Sequence, residues 1–347
     1  MTERLRRILT PVIVVAALIG VYVVVRGEGP TAARAFARAE AVPLLLASLL
    51  ANIAGLVLAV HAWRVLVPGE HPIRGLYAAR IYFLGQLSKY VPGRVWGVIT
   101  HVAHGRAVGV PGSQMASAYV LSLALTLLTG AAVSLAAAPA ALPGQWGWLC
   151  LPALFFLAAT VRPALVTRPV AAVARLVKRP VETPPDAAVR RAVLLAVASW
   201  TASGLHLWLL ALAVGAPAWA GLGAGVGGFA LATVVSSLAV IVPDGWGVRE
   251  LTITAALATV LPGGLAAAVA IASRVVCVLA ELGSAGLVLV LSRLRGTPAP
   301  VPVPTREPAP EPAPVTPAPE PAPTPTAPAV PAPHTHALSM GEARVHP

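Results

Sequence analysis

Apolar residues run through this chain in blocks of about twenty, separated by short stretches that hold most of the charge. A helix rises about 1.5 Å per residue, so a block of that length covers the ~30 Å hydrocarbon core of a bilayer. The pattern predicts spans near residues 8–25, 41–65, 115–138, 146–165, 193–214 and 221–242. A last apolar region, 251–291, is interrupted at Pro262-Gly263-Gly264; it is too long for one span and short for two. The expected fold is an all-α polytopic membrane protein of about seven to eight transmembrane helices.

Composition agrees. The chain of 347 residues is 57% hydrophobic and only 11% charged, with a mean hydropathy of +0.79. A soluble domain of this size would need far more charge to cover its surface. The net charge of +12 does not point to nucleic acid, because the basic residues cluster between spans. Residues 64–106 hold Arg64, Arg74, Arg80, Lys89, Arg94 and Arg106 against Glu70, and residues 168–191 hold six cations against two acids. Both read as cytoplasmic by the positive-inside rule. The opening "MTERLRRILT" carries Arg4, Arg6 and Arg7 before an apolar run and is read as a retained first helix with a cytoplasmic N-terminus. Cys150 and Cys277 fall inside predicted helices and read as packing residues.

Residues 1–295 form the expected membrane domain. After Arg295 the chain becomes a Pro-Ala tract, 296–347, which cannot bury a core and is expected to be a disordered, polyproline-like tail. A spacer is its simplest role; a site for a protein partner is the other.

Two stretches break the apolar pattern in the same way. "VPGRVWGVITHVAHGRAVGVPG" and "VPDGWGVRELTITAALATVLPG" each open on Val-Pro, carry Trp-Gly-Val soon after, and reach Pro-Gly nineteen residues beyond the first proline. The units cover about 88–118 and 239–269. Pro-Gly ends a helix, and the next helix starts with N–H groups that lack intrahelical partners. In hydrocarbon such donors must be buried in protein or line a wet cavity, and a helix start favours an anion. Paired interruptions in a duplicated membrane chain point to a transporter-like binding site. The units read as re-entrant-like, and the candidate substrate-binding residues are Lys89, Gly93, Arg94, Trp96 and Gly97 in the first and Asp244, Gly245, Trp246, Arg249 and Glu250 in the second.

Arg274 and Glu281, seven apart on one face of an apolar helix, complete the set. Each has a plainer reading. Lys89 and Arg94 also serve as cytoplasmic-side markers, and Arg249-Glu250 as an interfacial pair. Arg274 and Glu281 also fit a buried structural ion pair with Glu250 or Asp244, and the tryptophans fit interfacial anchors. His101 and His104 have no acidic or cysteine neighbour and read as interfacial; no metal is expected. There is no G-x-x-x-x-G-K-[ST] loop and no evident nucleophile–base set, so no cofactor is expected.

At "GQLSKYVPGRVWG", "IVPDGWGVRE" and "ASRVVCVLAELG" the chain resembles the membrane region of the lysylphosphatidylglycerol synthase/flippase family. The resemblance covers roughly 8–294. Val98 stands where many relatives carry Glu. Aminoacyl transfer in the two-part members belongs to a soluble domain that follows the membrane part, and only the Pro-rich tail follows Arg295 here. The resemblance therefore implies the flippase-like half, moving or binding a lipid with an anionic or modified headgroup. The Ala/Pro/Val/Arg bias of the composition suggests a bacterial plasma membrane. With the anion-favouring breaks, the expectation is a lipid with a phosphate-containing headgroup and no enzyme activity. The alternatives are a membrane-embedded enzyme acting on a lipid-linked phosphate or sugar, with Asp244 and Glu250 as acid and base, and a non-transporting partner subunit.

Overall fold

A computed structural model describes residues 29–67, 73–90, 95–141, 146–176, 184–238 and 245–295. The expected first span, the Pro-rich tail, Gly93, Arg94 and Asp244 lie outside these residues. Every regular element among the described residues is helical: α1 (Gly29–Phe36), α2 (Val42–Arg64), α3 (Gly75–Leu87), α4 (Val95–Arg106), α5 (Gly112–Ala141), α6 (Cys150–Val161), α7 (Ala164–Leu176), α8 (Asp186–Ala213), α9 (Ala218–Leu238), α10 (Val248–Leu257) and α11 (Gly263–Leu294).

Five of these are long and apolar enough to cross a membrane: α2, α5, α8, α9 and α11. Their outer faces expose Leu46, Leu50, Leu194, Leu238 and Leu287, which only lipid would accommodate without cost. The chain is an all-α, multi-pass membrane protein. The expected fourth span is shorter than the pattern suggested. Its helix α6 has 12 residues, about 18 Å, and Arg162 leaves helical geometry at its end before α7 begins. Helix α7 follows with Leu165, Arg168 and Arg175 exposed and Val166 and Thr167 buried. The region after the second break divides unequally. Helix α10 has 10 residues, about 15 Å and too short to cross, whereas α11 has 32.

The duplication extends well beyond the two Pro-Gly stretches. Ser48 Oγ on α2 donates to the His206 carbonyl on α8 at 3.0 Å, and Ser199 Oγ on α8 donates to the Gly55 carbonyl on α2 at 2.8 Å. Ser199 follows Ser48 by 151 residues, and His206 follows Gly55 by the same 151. The two bonds are one contact made twice. Pro243 follows Pro92, and Pro262 follows Pro111, by that same number. Residues α2–α5 and α8–α11 are therefore two copies of one four-helix unit in a single register.

The copies are inverted. Ser48 meets the later part of α8 and Gly55 the earlier part, so the equivalent helices α2 and α8 run antiparallel. The remaining packing respects the exchange. Helix α3 of the first copy lies on α11 of the second, as α9 of the second lies on α5 of the first; α2 touches α11 as α8 touches α5. This is the inverted-repeat arrangement that many membrane carriers use. Small residues allow the central crossing. A Cβ on Gly55 would come within 2.9 Å of the Ser203 backbone nitrogen, so nothing larger fits between α2 and α8.

Candidate functional site at the two helix breaks

The first break follows α3. Helix α3 ends in a short 3-10 turn, Ser88–Tyr90, and α4 begins at Val95. Lys89 and Tyr90 leave this turn and reach the long helix of the other repeat. Lys89 Nζ lies 2.6 Å from Glu281 Oε1, and Tyr90 Oη donates to Glu281 Oε2 at 2.7 Å. Glu281 is 6% exposed, near the middle of α11, and both its oxygens are engaged by the opposite repeat. Lys89 also sits 5.2 Å from the Tyr90 ring centroid. A carboxylate at that depth is costly unless paired and hydrogen-bonded, and here it is both.

The second break leads into α10 through Gly245, Trp246 and Gly247. Gly245 and Gly247 have φ of 64° and 84°, a left-handed geometry that side chains resist. The turn is closed by Glu250, three positions into the helix, whose Oε2 accepts the Gly247 N–H at 2.7 Å. Its Oε1 lies 3.4 Å from Arg274 NH1. The Arg274 guanidinium stands 5.3 Å from the Trp246 ring centroid, a cation–π arrangement. Among the described residues, the acid that Arg274 meets is Glu250, a turn-forming residue of its own repeat.

Arg249 and Glu250 do not act together. Arg249 turns into the protein and is 6% exposed. Its guanidinium stacks at 4.9 Å from the Phe229 ring centroid and donates to Cys277 Sγ at 3.3 Å. Cys277 is more than a packing residue. Its sulfur also accepts from Asn52 Nδ2 at 3.5 Å and lies 3.7 Å from His206 Nε2, which meets Ser273 Oγ at 2.7 Å. Asn52 Nδ2 is 3.4 Å from His206 Nδ1. These side chains form a buried polar cluster at the α2–α8 crossing, with α10 and α11 closing over it.

Of the sequence candidates, the structure brings Lys89 to Glu281, and Trp246 and Glu250 to Arg274. Arg249 joins the central cluster instead. Gly97 packs on Tyr119, where a Cβ would crowd the phenol ring, and Trp96 is largely exposed. His101 is buried in the protein: it is 2% exposed, its ring 5.0 Å from that of Trp63 and 4.7 Å from that of Tyr119. Tyr90, Asn52, His206 and Ser273 had not been singled out. For Asn52 and His206 a signal existed, since each is a lone polar side chain inside an otherwise apolar span. Among the described residues, no group of three His, Cys, Asp or Glu could hold a metal ion.

A family model described as lysylphosphatidylglycerol synthase TM region matches residues 8–281, most of the chain. The chain belongs to that family. The matched region includes both breaks, both repeats up to the middle of α11, and ends on Glu281 itself. None of the curated proteins matches the chain. Membership in the lysylphosphatidylglycerol synthase TM region family agrees with the fold: an integral membrane protein built from apolar helices.

Proposed function

We propose that the protein binds a lipid with a phosphate-containing headgroup and moves it between leaflets, by flipping or scrambling, along a polar path between the two broken-helix units. One observation supports this most directly: Lys89 and Tyr90 at the first break meet Glu281 on the long helix of the inverted copy. A charged headgroup crosses hydrocarbon only at high cost, whereas its acyl tails do not need to leave it. Cations and hydroxyls at mid-depth, on elements that belong to two oppositely directed repeats, lower that cost. Arg274 is the cation at the second break, and Arg94 and Asp244 lie beside the breaks in sequence. Transport runs down a gradient or couples to protons through Glu250 or Glu281. We place the protein in a bacterial plasma membrane with its N-terminus cytoplasmic, and assign the Pro-rich tail to a spacer or a protein partner.

The test is leaflet exchange in liposomes carrying headgroup-labelled anionic, zwitterionic and polyprenyl-phosphate lipids. The expected result is exchange of a phosphate lipid that Arg274→Ala and Lys89→Ala reduce at least tenfold. No exchange of any lipid, with or without a proton gradient, would remove translocation.

A further inference from the structure

The contacts of Glu281 describe a ligand as much as a structural pair. A carboxylate is one negative charge shared by two oxygens; here one oxygen takes an ammonium and the other a phenol O–H. A phosphodiester monoanion presents the same two features, one charge over two free oxygens. A phosphomonoester, nearer two charges, would leave its excess uncompensated by one Lys and one Tyr. The donors come from the turn before the first break, while the acceptor comes from the middle of a helix of the opposite repeat. At the second break the equivalent economy is absent, because Glu250 spends one oxygen on the Gly247 N–H that starts its own helix. Glu250 is thus built into its turn, whereas Glu281 has no backbone duty among its described bonds.

Resting on the translocation reading above, we infer that Glu281 is a built-in counter-ion holding the place of a phospholipid phosphodiester, which must displace it from Lys89 and Tyr90. While Glu281 holds these donors, the two repeats are tied together and the site is closed to the headgroup. A phosphodiester taking Lys89 and Tyr90 replaces one anion by another, so the ammonium never stands uncompensated, and the displaced Glu281 carboxylate takes up a proton and leaves the pair as a neutral acid. The exchange is between anions at fixed donors, with no bond made or broken in the lipid.

The experiment is a binding titration on the purified full chain in detergent, read by ligand-induced thermal stabilisation. The probes are dihexanoylphosphatidylglycerol, a lipid phosphodiester, and glycerol phosphate, a soluble monoester. Glu281→Gln should bind the lipid probe about tenfold more tightly than wild type, because the competing anion is gone. Lys89→Gln and the double variant should both bind it weakly. If Glu281→Gln fails to yield folded protein, Glu281→Asp serves: its shorter carboxylate reaches Lys89 and Tyr90 less well, and the lipid should bind about threefold tighter. Unchanged or weaker lipid binding in folded Glu281→Gln or Glu281→Asp would overturn the inference. Equal sharpening for glycerol phosphate would overturn the preference for a phosphodiester over a monoester. Sharpened binding without leaflet exchange would keep the counter-ion and remove translocation; exchange with unaltered binding would do the reverse.

Discussion

The two helix breaks occupy equivalent places in an inverted pair of repeats, yet their acids are used differently. At the first, Lys89 and Tyr90 reach out of their own repeat to a carboxylate that the other repeat supplies. At the second, Arg274 and Glu250 meet within one repeat, and Glu250 also caps the helix it starts. A duplicated backbone therefore does not impose duplicated chemistry. Equivalent positions show the divergence directly: Arg274 and Glu281 on α11 correspond to Leu123 and Gly130 on α5, at the same 151-residue separation. Backbone register has been kept while charge has been concentrated on one long helix.

The frame shared by both breaks should be the most sensitive part. Gly55→Val would drive a side chain into the Ser203 backbone at the central crossing. The expected outcome is loss of monodisperse protein on size exclusion, because helix backbones must separate rather than one side chain rotate. Next in size is the first break. Lys89→Ala leaves a buried Glu281 carboxylate with Tyr90 alone, and should destabilise by about 2–4 kcal/mol in thermal or denaturant unfolding in detergent. The second break should lose less. Glu250→Ala removes a helix cap and a longer ion pair, worth about 1–2 kcal/mol. A reversal of that order would mean the breaks are energetically alike after all. The smallest effects should be equal ones. Ser48→Ala and Ser199→Ala each remove the same hydrogen bond from opposite repeats, about 0.5–1.5 kcal/mol apiece and matched to each other. Unequal losses would show that the copies no longer share the load at their crossing.

How much of this the amino-acid sequence disclosed depended on residue type. Proline and glycine restrict or free the backbone itself, so the repeated Val-Pro and Pro-Gly stretches were visible, as was the nineteen-residue spacing inside each. The rest of the duplication was not. Helices α2 and α8 pack through apolar side chains that substitute for one another freely. Only small or common residues mark their kinship at the crossing, such as the Ala-Ser pair at 47–48 and 198–199, Ala51 with Ala202 and Leu56 with Leu207. Long-range pairing was hidden for a different reason. Nothing local to Lys89 indicates a partner 192 positions away, and a lysine beside a cytoplasmic loop has an adequate explanation without one. Arg249 and Glu250 illustrate the reverse error: neighbours in sequence, they point to different partners because successive helical positions are about 100° apart.

The antiparallel crossing of α2 and α8 has a consequence for how the chain enters a membrane. A scaffold made of two inverted copies looks nearly the same from either leaflet, so its packing gives the insertion machinery little reason to prefer one orientation. Direction must be written elsewhere, in cations that the copies do not share. Arg168, Arg175, Lys178 and Arg179 lie between the copies, and Arg190 and Arg191 at the start of α8. Arg64, Arg74, Arg80, Lys89, Arg94 and Arg106 belong to the first copy, with no cation at the equivalent positions of the second. A molecule that is close to a palindrome in space needs its signature on one side only.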